Sequence, residues 1–339
     1  MAEHENKTAV ATTAGQGQEP PMISVEHVKT YFDVTKGLFS PKQIVKAVDD
    51  VSFIIGEKET YGLVGESGCG KSTLGRTMVQ IHPVTGGRIL YRGKDVDKLR
   101  GAERKKFTRE VQMIFQDPYA SLNPRMTVGE IIKEPMEIHK MYDSAKEREE
   151  RAAELLKMVG LKPDHIRRYP HEFSGGQRQR ISIARTLSLN PCFIVCDEPI
   201  SALDVSIQAQ IINLLKEIQD ELGISYLFVA HDLSMVEYIS DRIGVMYLGH
   251  LVEEGTADEV YGSPLHPYTK ALLSAIPVPD PDAAEKRKRI HLAGELPTPI
   301  NPPPGCPFKG RCPIATEECG KARPELKDYN GHKAACIHI

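Results

Sequence analysis

The 339-residue sequence predicts an α/β fold, a mostly parallel sheet with helices on both faces, organised around a phosphate-binding loop. Three observations predict it. First, Gly65-Glu66-Ser67-Gly68-Cys69-Gly70-Lys71-Ser72-Thr73 fits the pattern in which four residues separate the first Gly from Gly-Lys-Ser/Thr. Residues 59–64 before it read as a strand and residues 74–79 after it as a helix, the context the pattern requires. Second, apolar runs at 192–196, 224–230 and 242–247 alternate with helical patterns, one spanning 206–222 and stopping near Gly223. Third, the first two of these runs end in Asp197-Glu198 and in His231, and open parallel sheets bind ligands beyond the carboxyl ends of their strands.

In order along the chain, residues 1–20 are polar and aperiodic and are expected to form a disordered tail. Residues 23–28 alternate as a strand, with Tyr31 and Phe32 just beyond it. Residues 33–46, carrying Gly37 and Pro41, read as a loop insertion and residues 48–55 as a strand. This β-rich start fits a small antiparallel layer feeding the core. After the phosphate-loop helix come a turn at Thr85-Gly86-Gly87, a strand at 88–91, a charged helix at 97–110 and a buried strand at 111–115 ending at Gln116. At Asp117 the texture changes: Pro118, Asn123 and Pro124 interrupt the chain, and helical patterns then dominate to about residue 189. Residues 117–175 are therefore expected to be an α-helical subdomain inserted into a nucleotide-binding core of residues 21–262. Prolines 264, 267, 277, 279 and 281 mark a linker around a short helix at 268–275. Residues 291–339, rich in Pro and Cys, carry too little apolar periodicity to fold unaided and call for a metal or a host surface. Residues 263–339 are read as a separate C-terminal region.

Bulk composition excludes several functions. Lys plus Arg (43) nearly balances Asp plus Glu (46), so no basic field suggests nucleic acid. No apolar run is long enough to span a bilayer and the N-terminus has no secretory core, so the chain is expected to stay in the cytosol, where it can still dock on a membrane protein. Of seven cysteines, Cys306, Cys312, Cys319 and Cys336 lie together in the last tenth; in the cytosol such a cluster suggests a metal before disulfides. Four thiolates suit tetrahedral Zn²⁺ or an iron–sulfur cluster.

The residues themselves suggest chemistry. The glycines of the loop aim backbone N–H groups inward, and the helix that follows adds positive partial charge. Lys71 supplies an ammonium for β- and γ-phosphates, and the Ser72 hydroxyl can ligate Mg²⁺. A strand ending in Asp197-Glu198 brings Asp197 near that ion and leaves Glu198 to polarise an attacking water. Between them Ser174 is a natural N-cap, and Gly175 and Gly176 expose the start of a helix at 177–189, a second anion site on the same chain.

Ser174-Gly175-Gly176-Gln177 ahead of such an acidic strand resembles the signature motif of ABC-type ATPases, P-loop NTPases with a RecA-like core. The resemblance implies that the signature of one subunit caps the γ-phosphate held by the phosphate loop of another. It implies further that Gln116 contacts Mg²⁺ and the attacking water, that Ser201-Ala202-Leu203-Asp204 crosses the dimer interface, and that His231 clamps the γ-phosphate. Tyr31 or Phe32 would supply the ring stacked on adenine.

The segments Phe115-Gln116-Asp117-Pro118-Tyr119-Ala120-Ser121-Leu122-Asn123-Pro124-Arg125, Tyr169-Pro170-His171-Glu172-Phe173 and His266-Pro267-Tyr268-Thr269-Lys270 are similar to oligopeptide/dipeptide importer ATPases. The likeness covers about residues 22–339, and Tyr119, Phe173 and Gln177 resemble the F-type member of the paired D and F subunits. Phe173 and Ile200 depart from the commoner Leu and Thr or Val without removing a catalytic group. The resemblance implies a peripheral ATPase on the cytoplasmic face of the inner membrane, using ATP and Mg²⁺. Its implied partners are a D-type ATPase paralogue, two permease subunits and an extracytoplasmic peptide-binding protein. It also implies a [4Fe–4S] cluster on the four terminal cysteines, with Zn²⁺ as the alternative. An ABC ATPase acting on nucleic acid or ribosomes is disfavoured by the single phosphate loop, the single signature and the lack of a heptad run. A non-catalytic module is disfavoured by intact Lys71, Glu198 and His231.

Overall fold

Alternating apolar residues start the chain as a long strand, and the computed structural model extends it to the expected aromatic pair. The structure describes residues 20–37, 41–201, 203–276, 290–292, 294, 297–302 and 304–339. Residues 1–19 of the expected tail, Ala202 and prolines 277, 279 and 281 lie outside them. In order the strands and helices are β1 (Ile23–Asp33), β2 (Ile44–Ile55), β3 (Thr60–Val64), α1 (Lys71–Met78), β4 (Gly86–Tyr91), β5 (Lys94–Asp95), α2 (Gly101–Glu110) and β6 (Val111–Ile114). Helices α3 (Pro118–Ser121), α4 (Val128–Ile138), α5 (Ala145–Met158) and α6 (Gly175–Leu187) follow. Then come β7 (Phe193–Asp197), α7 (Val205–Leu222), β8 (Ser225–Ala230), α8 (Leu233–Ile239), β9 (Arg242–Tyr247) and β10 (His250–Thr256). The chain closes with α9 (Ala257–Gly262), α10 (Pro267–Ser274), β11 (Lys327–Tyr329) and β12 (His332–Ala334).

The central sheet runs β11-β12-β10-β9-β3-β8-β7-β6, and a four-stranded sheet runs β2-β1-β4-β5. Strands β9, β3, β8, β7 and β6 are parallel, as their unbroken apolar runs predict for strands covered on both faces. Val64, Ile194, Cys196, Phe228 and Val245 face the cluster that includes the helical segment, and Leu63, Phe193, Val195, Leu227 and Val229 face the cluster shared with the antiparallel sheet. Each fully buried Leu, Val, Ile or Phe contributes about 1.5–3 kcal/mol, so this two-sided layer is the rigid platform of the molecule. Register aligns the strand ends: Val64 pairs with Ala230 and Val245, Ile114 with Cys196, and Asp197 with Val229. The residues that follow those ends therefore share one edge. Helix α1 lies close on β7, where a Cβ on Gly75 would come 2.8 Å from Val195 Cγ1.

The sequence places no strand at 250–256, yet β10 turns back antiparallel to β9, and β12 adds to it through Glu253↔Ala334 and Glu254↔Lys333. The C-terminal region thus uses the core sheet as its host surface. Glu253, fully buried, anchors it by accepting from the N–H groups of Leu265 (2.7 Å) and His266 (2.8 Å) and pairing with His332 (2.8 Å). His332 is itself buried in this pairing.

Candidate active site

The phosphate loop leaves β3 at Val64 and enters α1 at Lys71. Gly70 caps α1 at φ 106°, and a Cβ there would sit 2.0 Å from the Ala47 carbonyl oxygen, so only glycine fits. The N–H groups of Ser67, Gly68 and Gly70 have no acceptor among the described residues, which is the donor set an anion nest requires. Lys71 is only 3% exposed and folds back on the loop, donating to the carbonyls of Gly65 (2.7 Å) and Glu66 (3.1 Å). An ammonium held by neutral carbonyls is available to a phosphate that pairs it better.

Asp197 ends β7 completely buried, with Oδ2 3.4 Å from Arg76 Nη2 and Oδ1 without a hydrogen-bond partner among the described residues. Burial raises its carboxyl above the usual range, Ser72 and Arg76 act the other way, and neighbouring Glu198 adds to the rise. An orphaned buried carboxylate oxygen beside the loop serine fits a hydrated Mg²⁺, which takes one or two carboxylates and keeps several waters.

Next to it Glu198 sits at φ 46°, a strained position for this residue, held by its N–H to Val229 O (3.0 Å) and by Ser201 Oγ donating to its carbonyl (3.1 Å). Its Oε2 accepts from Gln116 Nε2 at 2.9 Å and lies 3.4 Å from His231 Nδ1. Gln116, Glu198 and His231 come from the ends of three different strands, β6, β7 and β8, and meet on one carboxylate oxygen. His231 is half-exposed, so the group opens to solvent where a nucleotide would enter.

Ser174 and Gln177 form a capping box: Gln177 N–H donates to Ser174 Oγ (3.3 Å) and Ser174 N–H to Gln177 Oε1 (3.1 Å). Gly176 packs on Ile207, and exposed Asp204 starts α7 without a side-chain cap, so the two motifs are neighbours. No hydrogen bond among the described residues joins them to Gly65, Lys71 or Glu198.

Tyr31 and Phe32 part company. The Tyr31 hydroxyl donates to Asp49 (2.5 Å), while Phe32 packs edge-on against His82, 5.3 Å between centroids. Thr30, on the Phe32 side of β1, bonds Thr77 of α1.

Cys306, Cys312, Cys319 and Cys336 are all unpaired, and among the described residues no three Cys, His, Asp or Glu side chains are set to hold a metal ion. This departs from the expected closed ligand set. The four are nonetheless neighbours: Cys306 N–H donates to the Cys319 carbonyl (2.7 Å), and burial, reinforced by the other three thiols, pushes Cys306 up to about 11. Cys319 takes a weak contact from His338 Nε2 at 3.3 Å. The sequence offered no signal for the strain at Glu198, for Ser201 as its support, or for Arg311, which reaches Glu66 from the far end of the chain.

Known proteins carry the same combination. The model of the ABC transporter family matches residues 48–201, and that of the oligopeptide/dipeptide transporter C-terminal region matches residues 252–319. YkfD of Bacillus subtilis is 60% identical over 319 residues, 94% of this chain and 95% of that protein. The oligopeptide transport ATP-binding protein OppF of Salmonella typhimurium is 51% identical over 95% of this chain and 97% of its own. The dipeptide transport ATP-binding protein DppF of Escherichia coli is 50% identical over 95% of each. Among solved structures, an ATP-binding cassette dimer in a post-hydrolysis state with ADP and Pi superposes with a TM-score of 0.62 at 29% identity, covering 70% of this chain and 99% of that one. With identity this high over nearly the whole length, the chain belongs to the ABC transporter family, in its oligopeptide/dipeptide-transport ATP-binding branch.

Proposed function

We propose that this ABC ATPase powers a peptide importer, with ATP binding closing two nucleotide-binding subunits and hydrolysis reopening them. The observation that carries the reading is the convergence of Gln116 and His231 on the Glu198 carboxylate, beside an unpartnered Asp197 oxygen and an open loop of N–H groups. In this reading residues 65–73 hold the phosphates, Lys71 pairs the β- and γ-oxygens, and Ser72, Asp197 and Gln116 hold Mg²⁺, directly or through water. Mg²⁺ supplies charge neutralisation of the phosphates. Glu198 orients and deprotonates the attacking water, and His231, which shares its oxygen, steadies the γ-phosphate. Phe32 is the better adenine platform, because its ring lies on the α1 side of β1 while the Tyr31 hydroxyl is committed to Asp49. Exposed Ser174 and Asp204, with half-buried Gly175, Gly176 and Gln177 between them, serve a nucleotide on a second subunit.

We assign residues 21–262 to the cassette, with 117–175 as its helical insertion, and 263–339 to the C-terminal region. No helix among the described residues is long and apolar enough to cross a membrane. The working assembly is therefore a pair of ATPases, this chain and a D-type paralogue, on the cytoplasmic face of two permease subunits served by an extracytoplasmic peptide-binding protein. Affinity capture of this chain from detergent-solubilised membranes tests it. Two integral membrane subunits and a second, different ATPase are expected; recovery of a homodimer free of membrane subunits would overturn the assembly. The four terminal cysteines, near neighbours in the fold, are proposed to draw together around a [4Fe–4S] cluster. Anaerobic protein should then carry iron and sulfide in near-equal amounts, and one zinc with no sulfide would replace that assignment by a zinc staple.

A further inference from the structure

Arg311 crosses from the cysteine-rich segment to the phosphate loop. Its Nη1 and Nη2 reach Glu66 Oε2 at 2.7 Å and Oε1 at 3.0 Å, a bidentate pair with the Arg311 side chain only 10% exposed. The C-terminal region holds the same residue a second way, for the Glu66 N–H donates to the hydroxyl of Tyr268 at 2.8 Å. Lys71 takes the third group of Glu66, its carbonyl. Tyr268 and Phe308 are fully buried, packed on each other and on Tyr247 with centroids 4.7–5.4 Å apart. Arg311 N–H donates to the Phe308 carbonyl at 3.0 Å, so this aromatic plug fixes the backbone that carries the guanidinium.

Glu66 poses an electrostatic problem. It puts a carboxylate inside a loop whose task is to receive a polyanion, and an unpaired carboxylate there repels the phosphates. We propose that Arg311, seated by the Tyr268–Phe308 plug, is a positioning residue of the ATP site that neutralises Glu66 and fixes its side chain away from the nest. The C-terminal region thereby sets the ATP affinity of its own chain. Its guanidinium stays charged at every working pH and its planar fork matches the carboxylate in a way an ammonium does not. The Tyr268 hydroxyl removes the Glu66 N–H from the nest and leaves the anion to the groups from Ser67 onward.

The inference rests on residues 65–73 as the phosphate cradle, and the experiment separates the two. Affinity for a fluorescent ATP analogue is measured on the full-length chain and on Lys71→Ala, Arg311→Ala, Arg311→Lys, and Arg311→Ala in a Glu66→Gln background. Lys71→Ala should lose binding; if it binds as the unaltered chain does, the cradle reading falls and this inference with it. With the cradle standing, Arg311→Ala should weaken binding about tenfold, the scale of one poorly screened charge beside a phosphate. Arg311→Lys should weaken it less. The decisive readout is charge coupling: in the Glu66→Gln background the loss on Arg311→Ala should shrink to about twofold or less. In the ATPase assay the effect should appear in KM with kcat nearly retained. Unchanged affinity in Arg311→Ala overturns the inference. So does a loss of the same size in both backgrounds, because a merely misfolded C-terminal segment is not mended by removing the charge of Glu66 on the phosphate loop.

Discussion

The phosphate loop and the signature turn are both glycine-rich helix starts, and their surroundings differ. The loop is gripped by its own chain: Ala47 closes on Gly70, Tyr268 and Arg311 hold Glu66, and Asp197 and Arg76 stand at its rim. The turn at 174–177 is capped only by itself, and beside it Asp204 and Val205 are exposed, Val205 at 71%. One helix start is complete within the chain and the other satisfies its backbone while offering its outer face to something else. On the proposed reading, in which the turn serves a second subunit's nucleotide, such a site does not turn over alone and binding energy becomes motion between subunits.

The largest effect that breaks this comparison is expected at Glu198, whose oxygen gathers Gln116 and His231. Glu198→Gln keeps the hydrogen-bonding shape and removes the base, so phosphate release should fall on the order of 10²–10³-fold while ATP binding persists. Cap and cradle should then stay closed, so that with ATP the variant and its partner ATPase elute together as a dimer on a sizing column. Normal turnover would take Glu198 out of the water-activating role.

A smaller effect sharpens the difference at the turn. Ser174→Ala removes the cap of α6 and should lower stability by about 1 kcal/mol; Ser174→Asp retains a cap. If the turn faces a second subunit's phosphates, both variants should bind ATP as dilute single chains and both should lose roughly tenfold or more in turnover, the aspartate through like charge. Melting curves should separate them, only the alanine variant shifting. An aspartate variant that hydrolyses ATP at the full rate would detach the turn from the γ-phosphate.

Both helix starts were legible in the sequence because local chemistry fixes them: a Gly-Lys-Ser run in one, a Ser N-cap ahead of two glycines in the other. The parallel strands were legible for a similar reason, since burial on both faces leaves unbroken apolar runs. What the sequence did not disclose is long-range. Strand β10 alternates poorly because Glu253 and Glu254 occupy buried positions, partnered by His332, Lys333 and Arg242 from elsewhere in the chain. Arg311 pairs with Glu66 across 245 residues, and no periodicity encodes such a contact. The cysteine spacing suggested a ligand set; the backbone brings the four near one another, yet among the described residues no three side chains are set to hold a metal ion.

The smallest expected effect tests the C-terminal region's grip through pH. His266 is buried, caps α10 by accepting the Tyr268 N–H at Nδ1 (3.1 Å), and is depressed to about 4, by burial first and then by Lys270. Only the neutral ring can accept that bond. His250 is likewise depressed to about 4 by burial and Arg323. Between about pH 6.5 and 4 the unfolded chain binds protons that the folded one refuses, so stability is fully present above pH 6.5 and declines as pH falls toward 4. The loss should reach about 1 kcal/mol per histidine by pH 5.5. His266→Asn retains an acceptor and cannot titrate, so urea melts of that variant at pH 7.5 and 5.5 should differ by about half as much as those of the unaltered chain. Because the same helix carries Tyr268, the acid loss should also weaken ATP binding in the unaltered chain more than in the variant. Equal pH slopes in both would move the acid sensitivity away from the plug.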